Sequence, residues 1–150
     1  MSQEQSKVII ERYINASFQV TKKLNSEILD AFGADITLEQ FQIMYSIRAK
    51  GTATSTELAD EFCVGKSSIT AMITRLVDRG LIERTRDLQD RRIVYLSLTD
   101  EGTIVFHNAY NQVQSVVSSY LVHFSQEEID AFIVTFEKLA RIVGDGGQEK

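Results

Sequence analysis

Residues 79–102, which read RGLIERTRDLQDRRIVYLSLTDEG, give the clearest indication of the fold. This stretch contains two runs with the composition of strands, residues 81–85 and residues 93–98. In the second run apolar and polar side chains alternate, as they do in a strand with one buried face. A charged tip, residues 86–92, joins the two runs, and Thr99 is placed to end the second strand and cap a helix. The stretch therefore predicts an antiparallel β-hairpin followed directly by a helix.

The charge of this region differs from that of the whole chain. The 150 residues carry a formal net charge of −5, yet residues 66–92 hold seven basic side chains against four acidic ones. The local charge is thus +3 and the remainder of the chain carries −8. Arg86, Arg91 and Arg92 lie at the hairpin tip. Because salt screens distant charges within about 10 Å, a basic face on an acidic body can still bind phosphates.

Capping boxes predict the starts of three helices. They are Thr37-Leu-Glu-Gln40, Thr54-Ser-Thr-Glu57 and Ser125-Gln-Glu-Glu128. A long amphipathic helix is predicted over roughly residues 4–32, with Gly33 ending it. Another helix is predicted over residues 65–79, before the hairpin. We expect the last helix to end at the glycines Gly144, Gly146 and Gly147.

The helix before the hairpin combines an apolar inner face with a small, polar outer face. The inner face consists of residues at helical spacing, Ile69, Met72, Ile73 and Leu76. Small hydroxyl side chains on the other face allow a helix to enter a major groove closely and bond to phosphates or base edges. Such a face is also typical of a helix that is simply exposed to solvent. The basic hairpin favours the first interpretation, since a helix followed by such a hairpin is the winged-helix arrangement that reads duplex DNA.

The predicted fold class is mainly α with a small β-hairpin wing, a winged helix-turn-helix flanked by long N- and C-terminal helices. Recognition helix 66–79 would enter the major groove and wing 84–94 the minor groove. The candidate DNA-binding residues are Lys66, Ser67, Ser68, Thr70, Ala71, Thr74, Arg75, Arg86, Arg91 and Arg92.

Asp90 is the candidate wing-orienting residue. It would accept a hydrogen bond from an arginine, with Arg75 as the suggested partner, and leave Arg92 free for a narrow minor groove. The alternative is a surface ion pair of little energetic value.

The terminal helices carry more apolar surface than a small winged-helix domain can cover. Residues 37–99 are predicted to form the DNA-binding domain, and residues 1–36 and 100–150 a helical dimerisation region. Apolar stripes at both chain ends imply a partner, most simply a second copy of the chain. We therefore expect a homodimer.

Other classes of function find little support in the sequence. It contains no nucleophile elbow, no phosphate-binding glycine-rich loop and no paired-histidine motif, so neither an enzyme nor a cofactor is predicted. It shows no signal-peptide pattern and no long apolar run, and we expect a cytoplasmic protein. The remaining alternative is a winged-helix protein-interaction module without specific DNA binding, although such modules usually lose the basic tip.

Several motifs together resemble the MarR family of bacterial transcriptional regulators. They are Gly80-Leu-Ile, the DLQDRR tip, Leu98-Thr-Asp-Glu-Gly102, Glu57-Leu-Ala-Asp-Glu and Lys66-Ser-Ser-Ile-Thr. The resemblance extends over essentially the whole chain. It implies a triangular homodimer with interlocked terminal helices, bound to a pseudo-palindromic operator and usually acting as a repressor. It also implies an arginine–aspartate brace at Arg75 and Asp90, and a minor-groove arginine at Arg92.

Two residues depart from the family pattern. Gln89 stands where many members have an arginine in the wing tip, so this wing would hold phosphates less strongly. Ala71 stands at a recognition-helix position that is often arginine, so the family's base preference does not carry over there.

The resemblance implies release of DNA by a small aromatic or phenolic ligand, a metal or an oxidant. Cys63 is the single cysteine, and its apolar neighbours favour a half-buried, inert thiol. His107 and His123 lie sixteen positions apart, so no metal site is predicted. For a small molecule, Tyr13, Tyr45 and Arg48 are the candidate ligand-binding residues, with ordinary core and rim positions as the alternative.

Overall fold

The computed structural model describes residues 1–146, and within them the chain forms six helices and one two-stranded sheet. In chain order these are α1 Gln3–Phe32, α2 Leu38–Lys50, α3 Ser55–Glu61, α4 Lys66–Asp78, β1 Ile82–Arg86, β2 Val94–Leu98, α5 Asp100–Leu121 and α6 Gln126–Asp145. Two compact units are present, Met1–Val113 and a second that begins at Gln114, so the boundary falls within α5.

All three predicted capping boxes are formed. In α2, for example, the Thr37 hydroxyl accepts from the Gln40 backbone N–H at 3.1 Å, and the Gln40 side chain accepts from the Thr37 N–H at 3.2 Å. α3 and α6 begin with the same reciprocal pair. A further capping box, which was not predicted, joins Ser2 and Gln5 at the start of α1. These local bonds satisfy N–H groups that have no partner inside the helix.

The core of the first unit is assembled from α2, α3, α4, the hairpin and the start of α5. Its most deeply buried large side chains are Ile43, Met44, Ile47, Leu58, Ile69, Ile73, Leu76, Leu81, Ile82, Leu96 and Phe106. Three of the predicted inner residues of α4 belong to this set, whereas Met72 is half-buried.

Both strands begin one residue later than predicted. Leu81 closes the end of α4 instead of pairing in β1, because its N–H donates to the Leu76 carbonyl at 3.0 Å. The preceding Gly80 has φ +73° and donates to the Val77 carbonyl at 2.9 Å, the pattern of a Schellman motif. Ile93 likewise belongs to the tip turn and not to β2, since its N–H donates to the Asp90 carbonyl at 3.0 Å.

A short bridge outside the hairpin was not predicted. Ala53 pairs with Leu96 through two backbone hydrogen bonds, of 2.7 and 3.1 Å, and so ties the segment before α3 to β2. Both residues are buried. The wing is therefore attached to the helix-turn-helix by main-chain bonds as well as by side-chain packing.

In the second unit, α6 has no buried residue. The expectation that glycines end this helix is confirmed at Gly146, which is its C-cap, whereas Gly144 lies within the helix, which continues to Asp145. An interior glycine weakens a helix by only about 1 kcal/mol. Gly147 lies outside the described residues.

Candidate nucleic-acid interface

The outer face of α4 is available to a ligand along its first two turns. Ser67, Ser68, Thr70 and Ala71 are exposed, whereas Thr74 is half-buried. The Thr70 hydroxyl donates to the Lys66 carbonyl at 2.7 Å, so its proton is already committed and its oxygen can only accept. This face is thus small and unobstructed, as close approach of a helix to a groove requires.

The wing tip is held by hydrogen bonds to the Asp87 carboxylate. This carboxylate accepts from the backbone N–H groups of Gln89 at 2.8 Å and Asp90 at 2.9 Å. Both bonds hold the pKa of Asp87 below its ordinary value, and the bond from the Asp90 N–H has the larger effect. The Asp87 N–H in turn donates to the Ile93 carbonyl at 3.0 Å. The tip is an ordered turn.

Arg92 is held in place and remains open to solvent. Its Nε donates to Asp90 Oδ1 and its Nη2 to Asp90 Oδ2, both at 3.0 Å, and its backbone N–H also reaches Oδ1 at 3.1 Å. This pairing lowers the pKa of Asp90. The Arg92 side chain is nevertheless 91% exposed. A bidentate carboxylate thus aims the guanidinium without covering it.

The suggested brace between Arg75 and Asp90 was wrong. Asp90 accepts from Arg92 instead, since a partner two residues away in sequence is reached without crossing to another element. Within residues 1–146, the Arg75 side chain forms no hydrogen bond and no ion pair, and the residue is exposed. It is therefore free to contact a ligand directly.

A different arginine joins the wing to the recognition helix. Nη2 of Arg84, on β1, donates to the Thr74 hydroxyl at 3.2 Å. Sequence reasoning missed this contact, because no spacing rule relates positions on a helix and a strand. Arg86 supports the tip as well, since its Nη1 donates to the Arg91 carbonyl at 2.9 Å.

The candidate ligand residues are only partly brought together. The Arg48 guanidinium lies 5.2 Å from the Phe106 ring centroid, and the Tyr45 ring lies 6.1 Å from it. Tyr13 is exposed on α1, and among the described residues no ring contact joins it to these groups. A cavity of about 250 Å³, which the sequence did not reveal, lies elsewhere and is lined by Phe32, Asp35, Arg79, Asn108 and neighbouring residues.

Cys63 is exposed, and the expectation that it is half-buried was wrong. It has φ +52° at the turn between α3 and α4. In the described part of the chain, no group of three His, Cys, Asp or Glu side chains is arranged to hold a metal. No helix within residues 1–146 is long and apolar enough to span a membrane.

Comparison with known proteins agrees with this geometry. The model of the MarR family matches residues 36–94. The HTH-type transcriptional repressor MdtR of Bacillus subtilis (strain 168) is 32% identical over 121 residues, 80% of this chain and 76% of that protein.

Two solved structures extend the similarity over nearly the whole chain. The YusO protein from Bacillus subtilis is 31% identical, with a TM-score of 0.65 and coverage of 94% of this chain and 99% of that one. Streptococcus pneumoniae FabT in complex with DNA is 25% identical, with a TM-score of 0.74 and coverage of 93% and 98%. The chain therefore belongs to the MarR family and is a DNA-binding transcriptional regulator with a winged helix-turn-helix fold.

Proposed function

We propose that the protein is a homodimeric, ligand-responsive repressor that binds a pseudo-palindromic operator in the cytoplasm. Residues 37–99 form the DNA-binding domain, and residues 1–36 and 100–150 the dimerisation region. The observation that carries the proposal is the ordered basic wing tip, in which Arg92 is bonded to Asp90 and yet 91% exposed. Repression is inferred from the MdtR relative, which is named a repressor.

The two DNA-contacting elements have distinct tasks in this proposal. The exposed face of helix 66–79 lies in the major groove, where Ser67, Thr70 and Ala71 meet base edges. Wing 84–94 enters the adjacent minor groove, where Arg92 contributes positive charge. Lys66, Ser68, Thr74, Arg75, Arg86 and Arg91 complete the interface, with Asp90 as the orienting group of the wing.

Dimerisation is proposed from the apolar faces that each unit leaves exposed. α1 exposes Val8, Ile9, Ile10, Tyr13, Ile14 and Phe18, and α6 exposes Phe132, Ile133, Phe136, Leu139, Ile142 and Val143. Apolar patches of this extent mark protein interfaces in soluble proteins. A second copy of the chain is the simplest partner for such faces.

The test of DNA binding is selection of random duplexes by the purified protein, followed by titration of the recovered sequence at several salt concentrations. We expect a palindrome with half-sites about one helical turn apart, and an affinity that falls steeply with salt. Arg92→Ala should reduce the affinity at least about tenfold, because an arginine contact contributes about 1–3 kcal/mol and a dimer has two. The dimer mass should not change.

The opposite result has a clear meaning. If no sequence is enriched and binding is weak and uniform, the protein is a winged-helix interaction module without specific DNA binding. If Arg92→Ala binds every duplex as the parent does, the role assigned to the wing is wrong.

The effector is proposed to be a small aromatic or phenolic molecule bound near Tyr45 and Arg48, with Tyr13 as a third contact. Support comes from the Arg48 guanidinium and the exposed Tyr45 ring, which lie 5.2 and 6.1 Å from the centroid of the buried Phe106 ring and so place a cation beside an accessible aromatic side chain. A library of such molecules should contain one that releases the operator, and Arg48→Ala should abolish this release without weakening DNA binding. Release that persists in Arg48→Ala would place the effector elsewhere.

A further inference from the structure

Leu88, at the wing tip, is not among the DNA contacts proposed for the wing. It is 93% exposed, the highest value for a large apolar side chain within residues 1–146. The other strongly exposed apolar side chains are concentrated on α1, α5 and α6, where the proposed dimer would cover many of them. Leu88 stands apart from those helices, on an element that the proposed function directs at DNA.

The backbone on both sides of Leu88 is fixed. The Asp87 carboxylate accepts from the N–H groups of Gln89 and Asp90, and the Asp87 N–H donates to the Ile93 carbonyl. A single exposed leucine by itself needs no explanation. Here, however, the turn fixes the backbone that carries Leu88 before any ligand is bound, so little backbone entropy remains to be lost on binding.

The neighbours of Leu88 determine where it can go. Arg91 and Arg92 are exposed at the same tip and will be drawn to the phosphates that line a minor groove. Leu88 is exposed at the same tip, three residues before Arg91, so the approach of these cations to the phosphates would bring its side chain toward the groove floor. There A·T pairs present no donor, whereas a G·C pair presents the guanine 2-amino group. Covering that donor with a leucine leaves it without a hydrogen bond, which is unfavourable.

We propose that Leu88 lies against the floor of the minor groove and selects A·T over G·C at the base pairs beneath the wing. This inference rests on the proposed function, since it requires the wing to enter that groove. It assigns Leu88 a specificity role that is distinct from the electrostatic role of Arg92. Apolar side chains, leucine among them, are used by other minor-groove proteins as wedges against base steps.

The experiment uses the operator recovered by selection, with the base pairs beneath the wing made A·T, inosine·cytosine or G·C. Inosine keeps the major-groove edge of guanine and lacks the 2-amino group. The parent protein should bind the A·T and inosine duplexes equally and the G·C duplex at least about fivefold more weakly. Leu88→Ser should reduce this difference to about twofold or less. Leu88→Met should preserve it, because methionine is also large and apolar.

Two controls separate Leu88 from its neighbours. Gln89→Ser shortens the adjacent exposed side chain and should keep the parent's discrimination, since the backbone N–H that Asp87 binds is unchanged. Arg92→Ala should bind all three duplexes more weakly and with a smaller salt dependence. Leu88→Ser should keep the parent's salt dependence, because no charge is removed.

Several results would overturn the inference. The first is that the parent binds the A·T and G·C duplexes equally. The second is that Leu88→Ser discriminates between them as fully as the parent does. The third is that discrimination disappears in Arg92→Ala and persists in Leu88→Ser. In each of these cases the wing can still bind DNA, so the proposed function survives. Failure of the parent to bind any operator would refute the proposed function itself.

Discussion

Replacing Gly102 with alanine should destabilise the protein, although alanine favours a helix more than glycine does. Gly102 lies in the first turn of α5 and packs against the main chain of Leu81. A Cβ at position 102 would overlap the Leu81 carbonyl oxygen and lie 2.8 Å from its carbonyl carbon. That oxygen also accepts the Thr99 N–H at 3.1 Å. The obstacle is backbone, so no side-chain rotation can relieve it.

The expected magnitude follows from three terms. Overpacking against a rigid neighbour costs about 1–3 kcal/mol, with backbone clashes at the upper end. Loss of the hydrogen bond between Thr99 and Leu81 costs about 1 kcal/mol. The higher helix propensity of alanine offsets at most about 1 kcal/mol of this loss. We therefore expect Gly102→Ala to lower the free energy of unfolding by about 2–3 kcal/mol.

The assay is urea denaturation at one fixed protein concentration, because a dimer's stability depends on concentration. Gly144→Ala is the matched control, since this glycine lies within α6 and has nothing within 4 Å of an added Cβ. The control should be unchanged or stabilised by up to about 1 kcal/mol. If Gly102→Ala is as stable as the parent, the close packing of α5 on Leu81 is not the constraint described.

Three further results are expected. Operator affinity measured in a double-mutant cycle of Thr74→Val and Arg84→Met should give a coupling energy of about 1 kcal/mol per protomer. A value near zero would show that the hydrogen bond between Arg84 and Thr74 does not orient the wing. Glu61→Ala should lower the free energy of unfolding more than Glu61→Gln. The buried Ser46 hydroxyl donates to the Glu61 carboxylate at 2.7 Å, and alanine leaves this hydroxyl without an acceptor, a loss of about 1–3 kcal/mol. Equal free energies of unfolding from urea denaturation would contradict this. The wing tip should loosen in acid, because the pKa of Asp87 is lower in the folded state than its ordinary value. The stabilisation that the Asp87 carboxylate gives the tip is therefore complete above the ordinary pKa and is lost as the pH falls through the folded-state pKa. Amide exchange at the tip measures this, and protection that persists below that pKa would refute the role of the carboxylate.

The helix boundaries were predictable because their signals are local. The pairs Thr37 with Gln40 and Thr54 with Glu57 lie three residues apart, and each side chain reaches the other's backbone without help from the rest of the chain. The approximate position of the hairpin was predictable for the same reason, from strand composition around a charged tip. The basic character of that tip is likewise a property of consecutive residues.

The contacts of the interface were less predictable. Asp90 was correctly identified as a partner for an arginine, yet the choice of Arg75 was wrong because composition does not say which guanidinium lies nearest. The bond between Arg84 and Thr74 was missed altogether. The exposure of Cys63 also contradicted expectation, since apolar neighbours in sequence do not reveal how a turn residue is placed relative to the core.

The helices, the hairpin and its charge follow from local sequence, since each arises from interactions between residues a few positions apart. The packing of the folded chain determines which side chains brace the wing, how Ala53 pairs with β2, and why position 102 needs a glycine. These features join residues far apart in the chain. Their geometry is set when the core packs, because close packing fixes distances between elements that no local pattern encodes.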